Sequence, residues 1–155
     1  MKFFTFGWWW GGQNPNGPNP NDASNAYRAH LDTIRDRLPA DVLRLEGEPD
    51  EGVSIHDARL VSLGIDAAAH TLTLVLDGDD GSGGARRFTL GYTGVRSFHS
   101  TQSDAPALPG PTGYGDLGYW EAHLAEGAFE HRFLFSTGIE LRVVFEGLGL
   151  SLRDG

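Results

Sequence analysis

Cysteine is absent from the 155 residues. Disulfides, thiolate metal ligation and thiol catalysis are thereby excluded, and the absence suits a reducing cytoplasm. Positive charge is scarce, with 12 Lys and Arg against 21 Asp and Glu and a formal net charge of −9. The longest basic run is Arg86-Arg87, so nothing invites a phosphate backbone and nucleic acid is not an expected partner. Long hydrophobic runs are missing too. The apolar stretch from Met1 to Trp10 is shorter than a membrane span and lacks a signal peptide's small-residue cleavage site. A cytoplasmic chain without membrane association is expected. There is no Gly-x-Ser-x-Gly elbow, phosphate-cradling glycine loop or His-Glu-x-x-His helix. No cofactor and no metal site are expected.

What is present points to one domain over residues 1–155, long enough to bury a core. Aromatics at the N-terminus suit a strand, with Phe4 and Phe6 on one face and Phe3 and Thr5 on the other. Residues 11–21 read GGQNPNGPNPN, a tract that can form neither helix nor ladder. A helix follows, capped by Asp22 or Ser24. Its Tyr27, Leu31, Ile34 and Leu38 make one apolar stripe, and Pro39 ends it. Such a one-sided helix should lie against a sheet.

From Arg59 onward the period becomes two. Val61, Leu63 and Ile65 alternate, then Leu72, Leu74 and Leu76, then Phe88, Leu90 and Tyr92. Four further runs start at Trp120, Phe129, Ile139 and Leu148. Apolar-in, polar-out alternation with short glycine links marks antiparallel hairpins with one solvated face. The expected fold is therefore α+β, a single antiparallel sheet of about seven strands, curved or partly closed, with one helix on its apolar face.

Register is arguable at the end of the chain. A three-residue loop, Ser136-Thr137-Gly138, sets Phe133 opposite Leu141, His131 opposite Val143 and Phe129 opposite Phe145. A two-residue link at Glu126-Gly127 sets Leu124 opposite Phe129, Glu121 opposite Arg132 and His123 opposite Glu130. The last two pairs are expected on the solvent face, and His131 in the core. Two longer loops remain, residues 77–84 and residues 100–118. Asp77, Asp79 and Asp80 do not complete a calcium-binding pattern, because Phe88 stands where the last acid is needed.

The residues that invite a site are His56, Asp57, Trp8, Trp9, Trp10 and His99. His56 titrates near neutrality and precedes a carboxylate, but neighbours along a strand point to opposite faces, so no dyad is expected. Asp57 should accept backbone N–H groups there, while His56 packs or caps a turn. The tryptophans suit sugar or peptide stacking, or a core cap. His99 adjoins the long loop.

Together these segments resemble a group of small bacterial proteins, some of them immunity proteins of bacterial toxin systems. The marks are Met1-Lys2-Phe3-Phe4-Thr5, Ala26 to Leu31 with Leu38-Pro39, Ile55-His56-Asp57-Ala58-Arg59, and Phe129 to Gly138. The resemblance implies a non-enzymatic protein-binding domain that neutralises a toxin, and it brings no catalytic residues. An acidic surface would recruit a basic protein partner, with the 100–118 loop or the aromatic N-terminus setting specificity. Two alternatives are a small-ligand-binding or hydrolytic protein using His56 and Asp57, and a homo-oligomeric structural module.

Overall fold

In a computed structural model, residues 1–11, 19–47, 53–79, 84–103, 105–111 and 113–154 are described. The α+β class is present, but the single seven-stranded sheet with one helix is not. Among the described residues three α-helices precede nine strands in two antiparallel sheets. The helices are α1 (Phe6–Gly11), α2 (Pro20–Ile34) and α3 (Ala40–Leu45). The first sheet has β1 (Arg59–Asp66), β2 (Thr71–Asp79), β3 (Ala85–Thr93) and β9 (Gly147–Asp154), in the order β1-β2-β3-β9. The second has β4 (Ser97–Gln102), β5 (Ala105–Pro106), β6 (Leu117–Ala125), β7 (Ala128–Phe135) and β8 (Ile139–Phe145), in the order β5-β4-β8-β7-β6.

Two sheets arise from one train of hairpins because the chain turns a corner twice. β3 runs into β4 and β8 into β9, and the two turns bond each other. Glu146 N–H donates to Thr93 O at 3.0 Å and Arg96 N–H to Val144 O at 2.8 Å. Gly94, at φ +59, supplies the left-handed residue of this corner. At the opposite seam Asp57 N–H donates to Leu117 O and Leu117 N–H to Ala58 O, both at 2.8 Å. Alternate residues of each strand then face inward. Leu74, Leu90 and Tyr92 meet Phe133, Leu141 and Phe145 in one buried core. The expected β7–β8 and β6–β7 registers both occur.

The helical segment joins the core from its side: Ile34, Leu38, Val42 and Leu45 belong to the same buried cluster as the inward faces of both sheets. The expected stripe is buried at Tyr27, Ile34 and Leu38, but α2 ends at Ile34 and a single 3-10 turn, Arg35–Arg37, carries the chain to Leu38 and Pro39. The cap of α2 is Asn19 rather than Asp22 or Ser24, since Pro20 occupies the first turn and Asn19 Oδ1 accepts from Asn21 N–H at 3.0 Å. Helices α2 and α3 contact β6 and β9, the outermost strands of the two sheets. The Tyr27 hydroxyl accepts from Ala122 N–H at 2.6 Å, and Asp41 Oδ2 from Leu150 N–H at 3.0 Å. Side chains thus satisfy backbone donors that an open edge would expose.

The expected N-terminal strand is replaced by α1. Thr5 starts a turn instead, its carbonyl accepting from Trp9 N–H at 2.9 Å and its hydroxyl from Trp8 N–H at 3.1 Å. Such local bonding outweighs the aromatic alternation. Strand β4 was not expected, because SFHSTQ has no apolar alternation, and with β5 it shortens the 100–118 loop. Of the expected loops over 11–21 and 77–84, residues 12–18 and 80–83, with Asp80, lie outside the described residues, and the tract expected to be non-helical gives Gly11 to α1 and Pro20 and Asn21 to α2. Asp77 and Asp79 end β2, and Arg87 Nε and Nη2 hold the Asp77 carboxylate at 2.6 and 2.7 Å.

The corner can be tested at Gly94. A Cβ there would stand 2.8 Å from Glu146 side-chain carbons, at a φ that L side chains rarely adopt. Gly94→Ala is expected to destabilise the fold by roughly 1–3 kcal/mol, read as a lower urea midpoint. An unchanged midpoint would contradict the corner geometry.

Candidate functional site

The outer face of the second sheet carries three cross-strand rows, read from the register. His99, Arg142, Arg132 and Glu121 form one; Thr101, Glu140, Leu134 and Tyr119 form the second; Ser97, Val144, Glu130 and His123 form the third. This face is not solvated as expected. Glu121, His123 and Glu130 are all buried: Lys2, Phe3 and Phe4 close on Glu121, Phe3 and His30 of α2 on His123, and Arg132 and Arg142 on Glu130. The register is right, but the cover was invisible to it.

Glu121 organises that cover. Its carboxylate accepts backbone N–H groups from Lys2 at 2.8 Å, Phe3 at 2.7 Å and Phe4 at 2.8 Å. His123 Nε2 is 2.9 Å away and donates when Glu121 is ionised. Burial alone would push this carboxyl up, but the His123 hydrogen bond and the three N–H groups bring it down to about 2. On its other side His123 Nδ1 meets His30 Nε2 at 3.0 Å, and Phe3 stacks on the His123 ring. Burial and the charge of His123 lower the pKa of His30. A carboxylate and two imidazoles thus run in line from the interior to α2. Their evident work is to seat the N-terminal segment.

Glu130 organises the neighbouring ground. Arg132 and Arg142 stand opposite each other across β7 and β8, where like charges repel. Glu130 holds both, Oε1 accepting from Arg132 Nε and Oε2 from Arg142 Nε, each at 2.6 Å. Burial opposes ionisation of Glu130, but the two guanidinium bonds prevail and lower its pKa. Above the pair opens a cleft of about 740 Å³. Met1, Thr5, Phe6 and Gly7 line it, as do Thr101, Gln102 and Ser103 from β4 and its exit; Arg132, Arg142 and His99 also line it. Glu140, the acid in the cleft, is paired with the Met1 ammonium.

The chain matches no protein-family model and no curated protein. A solved structure of an uncharacterized protein from Neisseria gonorrhoeae is similar over 63% of this chain and 93% of that one, at 15% identity and a TM-score of 0.43.

The residues singled out in the sequence separate into three places. His99 lines the cleft. Trp8 and Trp9 pack edge-on against Tyr119, at 5.1 and 5.4 Å between ring centres, and Trp9 also covers Gly118. Trp10 is 67% exposed and stacks on Phe6. His56 and Asp57 do pair, against expectation, with Nδ1 3.1 Å from Oδ1. They sit in a turn before β1, where Asp57 has φ 62, so strand alternation does not part them. Asp57 donates its own N–H to Leu117 rather than capping others. His56 borders a separate pocket of about 160 Å³ with Tyr27, Glu46, Tyr119 and Trp120. Among the described residues, no group of three or more His, Asp or Glu is arranged to hold a metal ion. No helix among them is long and apolar enough to cross a membrane.

Sequence reasoning missed Glu121, Glu130, Arg132 and Arg142 as a site. One signal was available: three successive strands place charge at alternate positions of the same face, in E-A-H, E-H-R and E-L-R. A merely solvated face needs no such pairing.

His131 is in the core as expected, its Nδ1 3.0 Å from the Tyr92 hydroxyl, but its buried Nε2 has no partner. Burial and the neighbouring His123 lower its pKa from 6.5 to about 3. The folded state therefore holds this proton more weakly than the unfolded state. Its stabilising contribution is complete above pH 6.5 and is lost as pH falls toward 3. His30 acts in the same direction. Lowering the pH from 7 to 5 is expected to reduce the urea midpoint, and His131→Phe to reduce that loss. Equal losses in both proteins would contradict the assignment.

Proposed function

We propose that this chain is a non-enzymatic protein-binding domain of immunity type, which captures a basic protein partner. One observation carries the reading. The aromatic N-terminal segment and the start of the 100–118 region, nominated separately as specificity elements, line one and the same cleft. Exposed apolar side chains stand on both elements, Trp10 at 67% and Leu108 at 86% exposure. Side chains of this kind form contact centres when a partner covers them. The formal charge of −9 supplies long-range attraction for a basic partner. The pocket beside His56, about 160 Å³, is smaller than the roughly 300–1,000 Å³ usual for small-ligand sites. That comparison weighs against the ligand-binding or hydrolytic reading that uses His56 and Asp57.

The test is affinity capture from the native host, followed by kinetics with the purified partner. A stoichiometric basic protein is expected, with an association rate that falls by about tenfold or more as salt rises into the physiological range. Trp10→Ala and Leu108→Asp should speed dissociation without unfolding the chain. Salt-insensitive association, together with full-affinity binding by both variants, would sink the reading.

A further inference from the structure

The cleft floor holds two guanidinium groups over one buried carboxylate, Glu130. Glu121, beside Arg132 in the same row, turns its oxygens to the Lys2, Phe3 and Phe4 amides and to His123 instead. Among the described residues lining the cleft the acid is Glu140, and it is already engaged by the Met1 ammonium.

The unused hydrogen-bond donors point the same way. Arg96 shows what a saturated arginine looks like here: its Nε and both η nitrogens reach Glu126 O, Gly127 O or the Glu146 carboxylate. The Arg132 side chain is only 18% exposed and bonds through Nε alone. Its η nitrogens have no partner among the described residues. Arg142 uses Nε and Nη2 on one oxygen of Glu130, and its Nη1 has no partner among the described residues. His99 lies directly opposite Arg142 in the β4–β8 register and adds a ring nitrogen to the same row. Because Glu130 fixes both guanidinium groups from beneath, little rotamer freedom remains to be lost when a ligand arrives. Planar donors fixed in this way suit a carboxylate, which an arginine fork matches with two oxygens.

We propose that the cleft above Arg132 and Arg142 is a carboxylate-binding site, occupied in the complex by an Asp or Glu side chain of the protein partner. This assignment rests on the protein-binding reading and refines it. The acidic surface attracts a partner that is basic as a whole, while the cleft selects one acidic side chain within its contact region. Opposed charge patterns of this kind fix the register of a complex.

The test titrates the full, isotopically labelled chain with hexaglutamate and follows amide resonances. Shifts are expected at His99, Thr101, Gln102, Arg132 and Arg142, and none of these with hexalysine. His99→Glu adds an anion at an exposed position of the same row and should weaken binding by about fivefold or more. Arg142→Gln should weaken it as well, with resonances outside the face unchanged as evidence of intact folding. The proposal is overturned if hexaglutamate leaves the cleft unshifted, if hexalysine shifts it equally, or if neither substitution weakens the peptide. It is also overturned if inorganic phosphate alone reproduces the shifts while hexaglutamate does not, which would make this a small-anion site. Failure here with a partner still captured from the host removes the carboxylate site and leaves the protein-binding reading standing. Binding of hexaglutamate with no partner captured does the reverse.

Discussion

The second sheet's outer face depends on a buried carboxylate. Removing Glu121 from water is costly unless every oxygen is compensated. Three successive backbone N–H groups and one imidazole supply that compensation. The imidazole is two residues away on the same strand, whereas the three N–H groups come from more than a hundred residues away in the chain. The bond set therefore does more than satisfy an acid. It draws residues 1–5 across β6, brings Phe3 onto His123 and Phe4 onto Tyr27, and delivers α1 to the rim of the sheet. Without that seating, the wall formed by Met1, Thr5, Phe6 and Gly7 would not exist, and the cleft would be an open charged face.

The remaining architecture serves the same surface by closing other options. Strands β6 and β9 end their sheets, and α2 and α3 supply side-chain acceptors to their backbone donors. The corner between β3–β4 and β8–β9 turns one continuous ladder into two facing layers and buries the aromatic core between them. Polar residues that would otherwise line a solvated face are thus split. Some are enclosed under the N-terminal segment, and others are left open beside β4. Glu121 and His123 belong to the first group, with Glu121 as its anchor. Arg142 and His99 belong to the second and face the cleft.

Local pairing was legible in the sequence, and coverage was not. The β6–β7–β8 registers follow from apolar residues seeking apolar partners across short turns, a constraint contained within some thirty residues. The helical stripe of Tyr27, Ile34 and Leu38 is equally local. By contrast, nothing near Glu121 reveals that three N–H groups from the opposite end will replace Arg132 as its partner. Strand β4 escaped notice because its outward residues, His99 and Thr101, border the cleft and need not be apolar. The His56-Asp57 pair was misjudged for a local reason: Asp57 adopts a left-handed turn conformation that strand alternation does not anticipate. The tryptophans divided, with Trp8 and Trp9 packing on Tyr119 and Trp10 left exposed. Of the site, only His99 and the two bordering segments were visible beforehand. The paired charges that make its floor emerge once three strands are set side by side.

The central claim is that Glu121 is an ionised, enclosed anchor for the N-terminal segment. Its most direct test is a side-chain carboxyl titration by carbon-detected NMR. The account predicts a midpoint near 2 for Glu121, well below the ordinary value of 4.5, with the Lys2, Phe3 and Phe4 amides moving at the same pH. A Glu121 midpoint at the ordinary value, with those amides unresponsive to it, would contradict the account.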